Sequence, residues 1–147
     1  MDIWGIREGL AAAAKTVSLP TGKGSLTCTA WLPDQVTSPH FFIAEYTQDY
    51  DKTFGGLDVV EFTARILIAR GDERSAQEVL DLLLRRGGPS SLKCALEAAR
   101  GEPGEYALGG LADDFRVERM QGNRLYEHAG VQYVGGELII RVFGSEK

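Results

Sequence analysis

Cysteine is scarce in this chain: Cys28 and Cys94 are the two among 147 residues, far apart and without a Cys-x-x-Cys spacing. That excludes a disulfide framework and a zinc knuckle. Basic charge is also short, with 16 Lys and Arg against 21 Asp and Glu and a net charge of −5. Scattered cations in an acidic chain argue against a nucleic-acid surface, which needs clustered Lys and Arg to release counterions from phosphates. No apolar run approaches the ~18–20 residues that span a bilayer, so no membrane segment is expected. The two histidines, His40 and His128, stand alone and give no ligand pair at helix or turn spacing. Asp49, Asp51, Asp113 and Asp114 do not form the Asp-x-Asp-x-Asp-Gly series of a calcium loop. The start, Met1-Asp2-Ile3-Trp4, lacks the basic and then apolar regions of a secretory signal, and a reducing cytoplasm is the expected place of synthesis.

What is present is ordinary globular material, 44% hydrophobic and 25% charged, in a length suited to one domain over residues 1–147. The chain is organised around Leu57 to Arg86. Val60, Phe62, Ala64, Ile66 and Ile68 alternate with Glu61, Thr63 and Arg65, the period of two of a half-buried strand. Asp72 then caps a helix whose Ala76, Val79, Leu80, Leu83 and Leu84 fall on one face, closed by Arg85-Arg86-Gly87-Gly88. Thirteen strand residues at ~3.3 Å each reach about 43 Å, against a domain diameter of roughly 40 Å. The strand must bend or protrude.

Around this centre the pattern predicts a first helix over Ile3 to Lys15, with Asp2 as cap and Ile3, Ile6, Leu10 and Ala13 on one face. Leu26 to Leu32 reads as a first strand with Leu26, Cys28, Ala30 and Leu32 inward, and Phe41 to Tyr46 as a second. Pro33 and Pro39 bracket the loop between them. Thr47 to Gly56 is expected to be an exposed loop, its Tyr50 and Phe54 either folding back on the sheet or docking on a partner. A short helix follows Pro89-Ser90-Ser91 with Leu92, Ala95, Leu96 and Ala99 on one face, then a loop from Glu102 to Gly110. Phe115 and Val117 open a strand, Gln121-Gly122-Asn123 reads as a turn, Leu125 to His128 as a strand, and a last strand changes phase across Gly135-Gly136, where a β-bulge is expected. The fold class is therefore α+β, a mainly antiparallel sheet with helices packed on one face, in the order α-β-β-β-α-α-β-β-β.

Site chemistry is thin. Gly22-Lys23-Gly24-Ser25 lacks the upstream glycine and the following helix of a phosphate loop. Cys28, His40 and His128 offer a nucleophile and bases, but Cys28 lies on the apolar face of a predicted strand, where a thiol behaves as a small hydrophobe. Leu82-Leu83-Leu84 at helical spacing reads as core. No catalytic residue, cofactor or metal is expected.

The order of several weak motifs nonetheless resembles a family. These are Ile6-Arg7-Glu8-Gly9-Leu10, Trp31-Leu32-Pro33-Asp34, Tyr50 to Asp58, Phe62 to Arg70, Asp72 to Gln77, Tyr126-Glu127 and Val131-Gln132-Tyr133. Together they resemble the tail terminator (tail completion) proteins of long-tailed bacteriophages, particularly those of actinobacterial hosts. The resemblance implies a structural subunit with no reaction, a homo-oligomer forming a six-membered ring at the head-proximal end of the tail tube. Its partners would be the major tail tube protein and the head-tail connector or stopper, with DNA passing through the lumen without specific binding. It would assemble in the host cytoplasm and reside in the virion. The expected assembly interface is Asp49, Tyr50, Asp51, Lys52 and Phe54 with the exposed strand face Glu61, Thr63 and Arg65. The alternatives are another neck component, a stopper or adaptor, or a small ligand-binding α+β domain with its pocket under the Glu102 to Gly110 loop, a loop matched by no motif of that family.

Overall fold

The computed structural model describes residues 2–48, 57–71, 73–101 and 106–145. Three helices, α1 Ile3–Ala14, α2 Glu73–Leu84 and α3 Leu92–Glu97, accompany five strands, β1 Thr27–Thr29, β2 His40–Gln48, β3 Leu57–Ala69, β4 Asp114–His128 and β5 Val131–Ser145. The fold is α+β. Asp2 caps α1 by accepting the Gly5 amide at 3.0 Å, and Ser91 caps α3 by accepting that of Cys94 at 3.2 Å. Both caps satisfy amides that the first turn of a helix leaves without partners.

The sheet runs β1-β2-β3-β5-β4. At its centre β3 and β5 pair without a break from Leu57↔Ser145 to Ala69↔Tyr133. β3 is thus long but not alone, since β5 accompanies it along its whole length. The even residues Val60, Phe62, Ala64, Ile66 and Ile68 all point into the main core, where Ile6 and Leu10 of α1, Val79, Leu80 and Leu83 of α2, and Leu92 and Leu96 of α3 meet them. Phe41, Ile43, Phe115, Val117, Leu138, Ile140 and Val142 complete that layer. The periodicity of the central strand and of α2 assigned these faces correctly.

The sheet is mixed, because β1 pairs parallel to β2. Strands that follow one another join in parallel only if the link crosses back to the starting end. Residues 30–39 do this on the helix-free side, where Val36 packs against a second small cluster of Phe42, Leu67 and Tyr126. The first strand is also shorter than Leu26 to Leu32. The Thr29 hydroxyl donates to the Trp31 carbonyl at 2.9 Å and Arg7 Nε takes the Ala30 carbonyl at 2.8 Å, so the backbone turns away and Trp31 and Leu32 are exposed. Thr47 and Gln48, expected in a loop, pair with Glu61 and Val60 as the end of β2.

The last part of the chain holds two strands where three are expected. Gln121-Gly122-Asn123 is no turn; it is a bulge inside β4, between the pairs Gln121↔Glu137 and Arg124↔Gly135. Gly122 has φ +66°, and the Tyr126 hydroxyl donates to its carbonyl at 2.5 Å, holding the bulge from within the strand. Nor does β5 bulge at Gly135-Gly136, where its register with β3 is continuous. Tyr133 faces the small cluster and Val134 the main core, so two buried sides, and no change of phase, produce the mixed pattern. Gly135 answers to close packing: a Cβ there would lie 2.6 Å from the Ile66 carbonyl oxygen and 2.8 Å from both Leu67 and Tyr126.

Phe62→Ala should cost about 3–5 kcal/mol, the range for a fully buried ring, measured by chemical denaturation; an unchanged midpoint would reverse the face assignment. Gly135→Ala should cost about 1–3 kcal/mol by overpacking. Gly136→Ala should cost less, because the nearest atom to its Cβ is the movable end of Leu84 at 2.9 Å.

Candidate functional site

The odd residues of β3 point away from the helices, and on that side three expected interface residues stand together. Arg65 lies opposite Glu137, Thr63 opposite Ile139 and Glu61 opposite Arg141. Arg65 sends Nε at 3.1 Å and a terminal nitrogen at 2.7 Å to one carboxylate oxygen of Glu137. Arg141 lies 3.5 Å from Glu61 and 3.3 Å from Glu118, and Arg119 lies 3.6 Å from Glu118. The Arg141 Nε approaches Glu118 without the direction of a hydrogen bond and is buried without another partner. This run of alternating charge crosses three strands, and beneath it Ile139 is buried at 2% exposure. Opposed charges on neighbouring strands contribute roughly 0.2–1 kcal/mol each.

Tyr126 sits between two arginines, with Arg65 5.0 Å and Arg124 4.5 Å from its ring centre. Burial, reinforced by the Glu137 carboxylate, pushes its phenol up. Glu61 and Arg65 are therefore held by partners within the chain, and the surface they form is a charge-interlaced platform. Asp49, Tyr50, Asp51, Lys52 and Phe54 lie outside the described residues. Sequence reasoning missed Glu118, Arg119, Arg124, Tyr126, Glu137 and Arg141. The charge density of Arg116, Glu118, Arg119 and Arg124 within one strand was the available signal, hidden by reading that strand as two.

Cys28, His40 and His128 do not form a nucleophile and base. Cys28 faces the helices and its thiol is pushed up to about 12 by burial, only partly opposed by Lys15. His40 occupies the opposite side, level with Thr27. The Thr37 amide donates to its Nδ1 at 3.0 Å, so Nε2 carries the proton and donates to the Thr29 hydroxyl at 3.1 Å. His128 Nε2 donates to the Pro33 carbonyl at 2.6 Å. The two histidines thus pin the 30–39 crossover to the sheet. Burial, and then the neighbouring His128, hold the His40 pKa below its ordinary 6.5.

Among the described residues no group of three or more His, Cys, Asp or Glu side chains could hold a metal, and no helix is long and apolar enough to cross a membrane. Lys23 of the Gly22-Lys23-Gly24-Ser25 turn is paired with Glu78 of α2 at 3.2 Å. One hollow lies beside that turn and another is lined by Asp34, Val36, His128 and Tyr133; residues 102–105 of the Glu102 to Gly110 loop, under which a pocket is expected, lie outside the described residues. No protein-family model and no curated protein matches the chain.

Glu137→Ala should cost about 1–3 kcal/mol, the worth of hydrogen bonds to a charged group left without its partner, measured by urea denaturation. For His40 the sign follows from its lowered pKa. The unfolded chain binds the proton near pH 6.5 while the folded chain does not, so stability is complete above that pH and declines as pH falls toward the folded value. His40→Gln should flatten the decline between about pH 7 and 5, seen as urea midpoints that stop shifting with pH.

Proposed function

We propose that this chain is a structural subunit of phage tail assembly, of the tail-terminator type, which forms a ring at the head-proximal end of the tail tube and presents a surface for head joining. The observation that carries the reading is the half-covered sheet. Its helices occupy one face, while part of the other face is a platform of paired charges running from Glu61 through Arg141 and Glu118 to Arg119. Beside the platform, the 15-residue strand β4 lies at the edge of the sheet. Among the described residues, an open face and an open edge give one subunit two different surfaces. Such a heterologous arrangement generates rings when the rotation between copies closes.

The ordered motifs support the same reading, with the tube protein and the connector or stopper as neighbours and an assembly role without a reaction. Deleting the gene in an infecting phage tests it. The expected result is filled heads unjoined to tails, and tail tubes without a defined end; head-attached tails of normal length would overturn it.

A further inference from the structure

The outer edge of β4 carries a row of guanidinium groups. Opposite Arg141, Ile139, Glu137 and Gly135 of β5 stand Arg116, Arg119, Gln121 and Arg124, on successive rungs of the ladder. The first bulge, between Val117 and Arg119, is what turns Arg119 to this side. An unbroken alternation from Arg116 would have placed Glu118 opposite Ile139 instead. All four side chains are exposed. Arg116 lies over Phe143 at 6.0 Å and Arg124 over Tyr126 at 4.5 Å, and neither has a carboxylate within 4 Å among the described residues. Asp114, two residues before Arg116, is taken by Arg100 through hydrogen bonds of 3.0 and 3.1 Å. Arg119 is the more committed of the three, with Glu118 at 3.6 Å and Gln121 at 3.1 Å.

An edge strand presents unpaired backbone groups to a further strand, and the side chains of that added strand stand beside those of the edge. An acidic residue at every second position of the added strand would therefore meet Arg116 and Arg119, one rung or about 7 Å apart. This chain contains such a segment. In Gln48-Asp49-Tyr50-Asp51-Lys52-Thr53 the two aspartates alternate around a tyrosine, so in an extended conformation both carboxylates fall on one side about 7 Å apart.

We propose that β4 is the docking edge for the 48–53 segment of a second copy of this chain, added as a sixth strand with Asp49 and Asp51 against Arg116 and Arg119. The contact is head-to-tail, joining the link between β2 and β3 of one copy to the β4 edge of the next. Its choice of occupant rests on the assembly reading, but the docking is measurable apart from it. Opposed charges set register and partner choice more than affinity, and the edge hydrogen bonds supply the rest.

The test is titration of the full chain with a labelled peptide of residues 46–56, followed by fluorescence anisotropy at low and physiological salt. Saturable binding that weakens with salt is expected, together with new hydrogen-exchange protection of β4 amides. Arg116→Glu with Arg119→Glu should weaken binding at least tenfold. A peptide carrying Asp49→Lys and Asp51→Lys should fail on the native chain and bind that variant. If the Glu variant loses its native circular dichroism, Arg116→Gln with Arg119→Gln replaces it and should weaken binding several-fold, while Arg85→Glu on the exposed helix side should leave it unchanged. Absence of binding, binding indifferent to these charges, or binding without protection of β4 would each overturn the proposal. A single-stranded oligonucleotide that binds the row where the peptide does not would also overturn it. Peptide docking on the purified chain, together with normal-length, head-attached tails after the gene deletion, would reject the terminator reading and leave this contact standing.

Discussion

The register between β3 and β5 is the constraint on which the rest depends. Thirteen consecutive pairs align Val60, Phe62, Ala64 and Ile66 with Val142, Ile140, Leu138 and Gly136 on the helix side, and Glu61, Thr63 and Arg65 with Arg141, Ile139 and Glu137 on the other. Side chains alternate with a period of two, so a slip of one residue would bring Arg65 and Glu61 into the apolar layer. Burying such charges without partners costs several kcal/mol, which makes this pairing far more specific than its hydrogen bonds alone. Gly135 enforces the same register from the other face, since Leu67 and Tyr126 close over its backbone.

The charged platform follows from that register. Arg65 and Glu137 are 72 residues apart in sequence yet directly opposed, and their bond is mostly screened from water, with the Glu137 side chain 9% exposed. The outer pairs of Arg141 and Arg119 are wetter and contribute less. What the network does is cover Ile139 with the stems of long side chains and leave the platform polar on top, a surface suited to contact without a permanent apolar patch. The other end of the same face is closed differently, by the 30–39 crossover pinned through His40 and His128 over Phe42 and Leu67. One sheet face therefore has a covered half and a platform half.

An exposed aromatic pair lies where the crossover begins. Trp4 of α1 and Trp31 stack at 6.5 Å, each half exposed, and Arg7 reaches from beside Trp4 to the Ala30 carbonyl. This contact ties α1 to the point where β1 ends. It explains why the strand stops after Thr29 although its apolar alternation continues to Leu32.

The sequence by itself determined what depends on near neighbours along the chain. The period of two in β3, the apolar stripe of α2, the cap at Asp2 and the Pro89-Ser90-Ser91 start of α3 all stood in short stretches, so the helices, the central strand and its inward face were legible. The even-odd pattern also marked Glu61, Thr63 and Arg65 as facing away from the helices. Only the tertiary structure decided what depends on residues distant in sequence. Gly122 could close a turn or a bulge until Tyr126 and the opposing Glu137 and Gly135 were in place, and Tyr133 looked like a change of phase until a second cluster appeared behind it. That Glu61 and Arg65 find partners in Arg141 and Glu137, and that β1 runs parallel to β2, likewise came from assembly of the sheet. The physical reason is that local periodicity fixes which side of an element is apolar, whereas pairing partners and strand direction are set by the one arrangement that buries every such side and leaves the charges matched.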